Sequence, residues 1–183
     1  MTYYGGKELA ASFRTVRSNT IQAAEDIPEA KYSFKAAPDC RSIGQTLVHV
    51  ALGPGIQRHI HGNRVADIQK VNFMELFQKM TAEEAKPRSK AEIVAFLKAE
   101  GDAFASYLEG LPEAFLGEPV TQMPGAQPAS KTRFEMLLSA KEHEMHHRGQ
   151  LMVLQRMVGL VPHLTRQMQE RMAQRAAAAQ PAR

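Results

Sequence analysis

Apolar residues recur at steps of three and four along most of the chain, and each such run predicts a helix. The first covers about Lys7 to Asp26, with Leu9, Phe13, Val16, Thr20, Ala24 and Ile27 on one face, and stops near Pro28. Residues 28–39 hold two prolines and no period, so they read as a crossing segment pinned to the body by Tyr32 and Phe34. Ser42 or a neighbour opens a second helix, whose centre Thr46-Leu47-Val48-His49-Val50-Ala51-Leu52 is apolar on every side except at His49. A helix without a polar stripe is buried. Gly53-Pro54-Gly55 is expected to kink or break it before it resumes through Ile56 and Ile60 to Asn63.

The connection from Val65 to Lys86 predicts a short helix around Phe73, Leu76 and Phe77. The capping box Ser89-Lys90-Ala91-Glu92 then starts a third long helix carrying Ile93, Leu97, Phe104, Leu108 and Leu111. Residues 117–130, with three prolines and two glycines, read as a loop. A fourth long helix spans Phe134 to Val158, capped by Thr132-Arg133-Phe134-Glu135 and ended by Gly159, with Leu137, Leu138, Met145, Leu151 and Leu154 at helical spacing. After a turn, residues 165–179 have helical composition, with Met168 and Met172 spaced to pack on the body or a partner, and the last eight residues are expected to fray. No segment alternates as a strand does. The expected fold is therefore all-α: an antiparallel four-helix bundle with a crossover connection over residues 1–164, followed by a short, basic C-terminal helix or tail over 165–183.

Composition narrows the class. A chain of 183 residues, 44% hydrophobic and 23% charged, fits one soluble domain with a proper core. Cys40 is the only cysteine, which excludes an internal disulfide, suits a reducing compartment, and has nothing around it that suggests an activated thiol. No apolar run approaches a membrane span and residues 1–7 lack the apolar core of a signal peptide, so a cytoplasmic location is expected. The pI near 9.3 points to nucleic acid until the charge is located. Residues 165–183 hold four arginines against one acid and so supply +3 of the net +4. The body is nearly neutral and shows no basic face for phosphates, and neither a nucleic acid nor a membrane is expected as a partner.

The densest chemistry lies in Lys141-Glu142-His143-Glu144-Met145-His146-His147-Arg148-Gly149-Gln150. His143 and His147 stand one helical turn apart on the face that also carries Ala140, Leu151 and Leu154, while His146 points about 100° away. Neutral imidazoles at this spacing bind one ion of zinc, nickel, copper or ferrous iron. His49 alone reads as a core histidine bonded to a carbonyl or hydroxyl. Joined to His143 and His147 across a bundle, it would complete three facial nitrogens with open positions left for water or substrate. His59 and His61 read as rim or surface residues.

Other readings compete. His143-Glu144-Met145-His146-His147 satisfies H-E-x-x-H, with Glu144 as a general base, but a carboxylate third ligand could come only from Glu170 and no strand offers a peptide its place. Glu144-x-x-His147 matches half of a di-iron motif, yet residues 42–64 contain no acid. A non-catalytic helical module with structural histidines is the remaining reading.

The chain resembles the DinB/YfiT-like family of metal-dependent enzymes. The likeness is carried by Pro28-Glu29-Ala30-Lys31-Tyr32-Ser33-Phe34, Leu47-Val48-His49-Val50-Ala51 and above all His143-Glu144-Met145-His146-His147-Arg148-Gly149-Gln150-Leu151, close to the family's HExHHRGQL pattern. The resemblance implies a four-helix bundle, a divalent zinc, nickel or iron on His49, His143 and His147, a homodimer, a small-molecule substrate, and chemistry that in characterised relatives uses a low-molecular-weight thiol as co-substrate. On that basis Glu144 would shuttle a proton or sit as a solvated carboxylate, Arg148 would hold an anionic substrate or form an ion pair, Gln150 would orient a ligand, and Gly149 would let two helices approach.

Overall fold

The computed structural model describes residues 4–179. Helices α1 (Gly6–Asp26), α2 (Ile43–Gly62), α4 (Lys90–Glu109) and α6 (Arg133–Met157) form a four-helix bundle; α3 (Phe73–Glu84), the short α5 (Glu113–Leu116) and α7 (His163–Ala178) lie outside it. The periodic faces are the buried ones: Leu9, Phe13, Val16, Thr20, Ala24 and Ile27 of α1 and Ile93, Leu97, Phe104 and Leu108 of α4 are all inside. Met145 departs from the pattern and faces solvent.

Side-chain pairs set the helix directions. Arg14 with Glu109 and Lys98 with Glu25 make α1 and α4 antiparallel. His49 with His143, Gln57 with Ser139 and His61 with Arg133 make α2 and α6 antiparallel. Arg17 with Glu144 and Gln155 with the Ala23 carbonyl make α1 and α6 parallel. The order is thus up, down, down, up. Each of α1 and α2 packs on both α4 and α6, so α1 and α2 occupy one diagonal. The crossing segment spans that diagonal, held by Tyr32, whose hydroxyl donates to the Ala24 carbonyl at 2.9 Å, and by the amides of Ile43 and Gly44 bonding back to Phe34 and Tyr32.

Because α2 and α4 run the same way, the chain must climb back along the bundle between residues 62 and 90. A 20-residue helix is about 30 Å long, and α3 covers part of that return. It brings Glu84 beside His49 before α4 begins at its Ser89 capping box.

Three expectations are corrected. The proline at 54 does not break α2, which runs unbroken from Ile43 to Gly62. A proline leaves the carbonyl four residues earlier without its usual donor, here that of Val50, and Arg17 Nη2 donates to it at 3.1 Å. The stretch 117–130 is not loop throughout: β1 (Pro119–Thr121) lies within it and pairs antiparallel with β2 (Ser130–Thr132), which starts at its end. Helix α7 begins at His163 and stays helical to Ala178, its arginine Arg166 paired with Asp26 at 2.7 Å; the expected fraying of the final residues lies in part outside the described ones. Met168 and Met172, expected to pack on the body or a partner, are exposed, so the body does not bury them. Among the described residues no helix is long and apolar enough to cross a membrane.

Candidate metal centre

The buried face of α2 and the inward face of α6 meet at three imidazoles. His49 Nε2 lies 3.1 Å from His143 Nε2, and His147 Nε2 lies 3.2 Å from the same atom. All three offer a nitrogen within one 4.8 Å group.

The outer nitrogens decide which inner nitrogens carry lone pairs. His49 Nδ1 faces Glu84 Oε1 at 2.7 Å, and a carboxylate only accepts, so Nδ1 holds the proton and Nε2 is a bare acceptor. His147 Nδ1 donates to Gln150 Oε1 at 2.8 Å, which leaves its Nε2 bare as well, while Gln150 Nε2 donates to His146. Two lone pairs therefore converge on His143 Nε2, and a single proton there can satisfy only one of them. Protonating the cluster is opposed: burial, then the neighbouring imidazoles, lower the pKa of His143 to about 4, and burial lowers that of His147. A divalent cation matches this donor set. Imidazole nitrogens about 2.0–2.1 Å from a shared zinc stand about 3 Å or a little more from one another, as His49 and His147 Nε2 do from His143 Nε2.

Backbone shape completes the placement. A Cβ at Gly53 would lie 3.1 Å from His143 Nδ1, so the missing side chain makes room for that ring against α2. Two cavities open on the cluster. The outer one, about 790 Å³, is walled by Lys35, Asp39, Cys40, Gln45 and His147 among others. The inner one, about 480 Å³, is walled by His49, His143, Ile56, Phe77, Met80 and Ala140 with their neighbours. Arg41, Thr81 and Glu84 border both. A further cleft between α1 and α4 touches none of the three imidazoles.

Glu144 and Arg148 are not brought to this cluster. Glu144 is 1% exposed and receives Arg17 Nε on both oxygens, at 2.9 and 3.0 Å. Neither a solvated carboxylate nor a base at the imidazoles describes it, because one step along α6 turns the side chain by about 100° toward α1. Arg17, itself 3% exposed, also donates to the carbonyls of Leu97 at 2.8 Å and Val50, so one guanidinium ties α1 to α2, α4 and α6. A Cβ at Gly101 would meet Arg17 Cγ at 2.7 Å, which explains the glycine. Arg148 lines neither cavity; its charge is felt at His163, whose pKa it helps to lower after burial. Gly149 has open space around it and mediates no close approach.

Sequence reasoning missed Glu84, Arg41 and His61. Glu84 is the carboxylate at the site, in place of Glu170, and Arg41 Nε holds its other oxygen at 2.6 Å. It stands 35 residues from His49 in an ordinary charge run, so no local spacing marks it. His61, expected at the rim, is 1% exposed: its Nε2 donates to Gln57 Oε1 at 3.1 Å and its Nδ1 accepts from Arg133 Nη1 at 3.2 Å. His59 is exposed, as expected.

The DinB family profile matches residues 1–179. Among solved structures, the DinB-like protein YjoA from Bacillus subtilis superposes with a TM-score of 0.62 at 22% identity, over 83% of this chain and 92% of that one. A DinB-like protein from Bacillus cereus gives 0.65 at 18% identity, over 85% and 93%. YfiT from Bacillus subtilis, described as a probable metal-dependent hydrolase with an unusual four-helix bundle topology, gives 0.65 at 13% identity, over 87% and 91%. No curated protein matches the chain. With a profile match over nearly its whole length and a bundle shared with these structures, the chain belongs to the DinB family.

Proposed function

We propose that this protein is a metal-dependent enzyme acting on a small molecule, with His49, His143 and His147 holding one divalent ion, zinc, nickel or iron. The observation that carries the reading is the convergence of two bare nitrogens on His143 Nε2 at 3.1 and 3.2 Å. When bound, such an ion lowers the pKa of a water or thiol that shares it, yielding hydroxide or thiolate near neutral pH.

The chain's own residues set the stage. Glu84 fixes the tautomer and ring plane of His49, Gln150 does the same for His147, and Gly53 seats His143. Arg41 holds the Glu84 carboxylate in its aim at His49. Glu144 serves the fold through Arg17, so its part in the reaction is to hold α6 in place. Hydrolysis is the reading that YfiT's description supports. Transfer to a low-molecular-weight thiol is the second reading, favoured by the outer cavity of about 790 Å³, which has room for a co-substrate beside His147. The proposal extends to a homodimer, supported by the exposed apolar side chains Val153, Met157, Met168 and Met172 on α6 and α7.

Metal analysis of the purified protein tests the reading. One ion per chain is expected in the wild type and none in His143→Ala, with helical content unchanged; a wild type without stoichiometric metal overturns it. Turnover of activated esters without thiol, against turnover of electrophiles only with bacillithiol, mycothiol or glutathione, separates the two chemistries.

A further inference from the structure

The two cavities at the histidines differ in what they leave unsatisfied. The outer wall carries the exposed Lys35, Asp39 and Cys40 beside the apolar Val153 and Met157, and is the more polar of the two. In the inner cavity the charged groups and most of the polar ones are already used on one another. Arg41 and Glu84 are paired at 2.6 Å, and Glu84 also accepts from His49. Gln57 donates to Ser139 Oγ at 3.0 Å and accepts from His61, while the Ser139 hydroxyl donates to the Met136 carbonyl at 2.6 Å. What remains facing the space is Ile56, Phe77, Met80, Ala140 and the bare backbone of Gly53, with the Thr81 hydroxyl as the one further polar group on the wall.

Such a wall rewards an apolar guest and penalises a charged one. A charge placed there gives up its hydration and finds no free counter-charge. An apolar group gains by leaving water, at about 25 cal/mol per Å², and at about 480 Å³ the space lies within the usual size of small-molecule sites.

We propose that the inner cavity is the specificity pocket of this protein, taking an uncharged, apolar group of aromatic or branched-alkyl size attached to the atom that reacts at the three imidazoles. The polar remainder of the substrate extends toward the outer mouth. The inference rests on the metal reading above and adds the substrate class to it.

The test uses full-length protein reconstituted with zinc, its content verified by metal analysis, and two probes with the same chelating head: acetohydroxamic acid and benzohydroxamic acid. Calorimetric Kd values are expected to favour the phenyl probe at least tenfold. Met80→Trp, which fills the pocket, should erase that ratio while acetohydroxamate still binds. Phe77→Ala, at a side chain 52% exposed and so safe for folding, should cut the ratio several-fold. Equal affinities for the two probes, no binding of either to zinc-loaded protein, or a ratio untouched by both substitutions overturns the pocket while leaving the metal reading intact. Failure to retain stoichiometric zinc overturns the metal reading, and the pocket with it.

Discussion

His143 and Glu144 are neighbours on α6 and enter two buried polar clusters with opposite characters. On the α1 side, Glu144 and Arg17 complete each other: both carboxylate oxygens are used, and the guanidinium finds two carbonyls besides. On the α2 side, three imidazoles aim nitrogens at one another and leave at least one lone pair unmatched. Burial is common to both, so burial does not identify the site. The unmatched lone pairs do. His61 sharpens the lesson, because its pKa is also lowered to about 4, by burial and then by Arg133, yet both of its ring nitrogens are satisfied and it belongs with the closed cluster.

The largest effect should come from opening the closed cluster. Removing one member of a buried pair leaves an uncompensated charge and costs about 3–5 kcal/mol, so Glu144→Ala should lower Tm sharply, while whatever fraction stays folded still binds metal. Loss of metal with full thermal stability would place Glu144 in the open cluster instead.

Acid comes next. Between pH 6.5 and 4 the unfolded chain protonates His61 while the folded chain does not, so stability is intact above about 6.5 and drains away as pH falls toward 4. At 1.36 kcal/mol per unit the ceiling is about 3 kcal/mol for this group. Urea midpoints of metal-free protein should fall across that window, and His61→Gln should flatten the slope; an unchanged slope would remove His61 from the account.

Glu84→Gln should then weaken metal binding by about 10–100-fold, the usual cost of losing the group that orients a ligating histidine, with little change in Tm. Competition with a coloured chelator reads it, and an unaltered Kd would mean that Glu84 serves only Arg41. Smallest of all is His146→Ala. That ring bonds Gln150 Nε2 at 3.1 Å and stands edge-on to the His147 ring, centroids 5.0 Å apart, without a nitrogen in the cluster, so metal stoichiometry should hold and Kd should move by about twofold or less; a loss equal to that of His49→Ala would redraw the ligand set.

How much of this was legible in the residues follows from range. The bundle helices announce themselves because three- and four-residue spacing is local, as in Leu9, Phe13 and Val16. His143 and His147 share a turn, and His49 is conspicuous as the one polar side chain in an apolar run. Arg17, by contrast, sits among Arg14, Thr15, Ser18 and Asn19 and looks like part of a solvated face; its partner is 127 residues away. The intact α2 was hidden for the same reason, since the donor that rescues the Val50 carbonyl comes from another helix. His61 depends on Arg133, 72 residues on. Glu84 depends on how the chain returns between two helices that run the same way, and no pattern within α3 encodes that path.

That return segment has an implication for how such proteins diversify. The residues proposed to grip an ion stand on the bundle helices themselves, whereas the tuning carboxylate and much of the pocket's roof ride on a strap laid outside, where Phe77 and Met74 already face water. Mutation in the strap can revise ligand basicity and guest preference together while the scaffold beneath stays as it was.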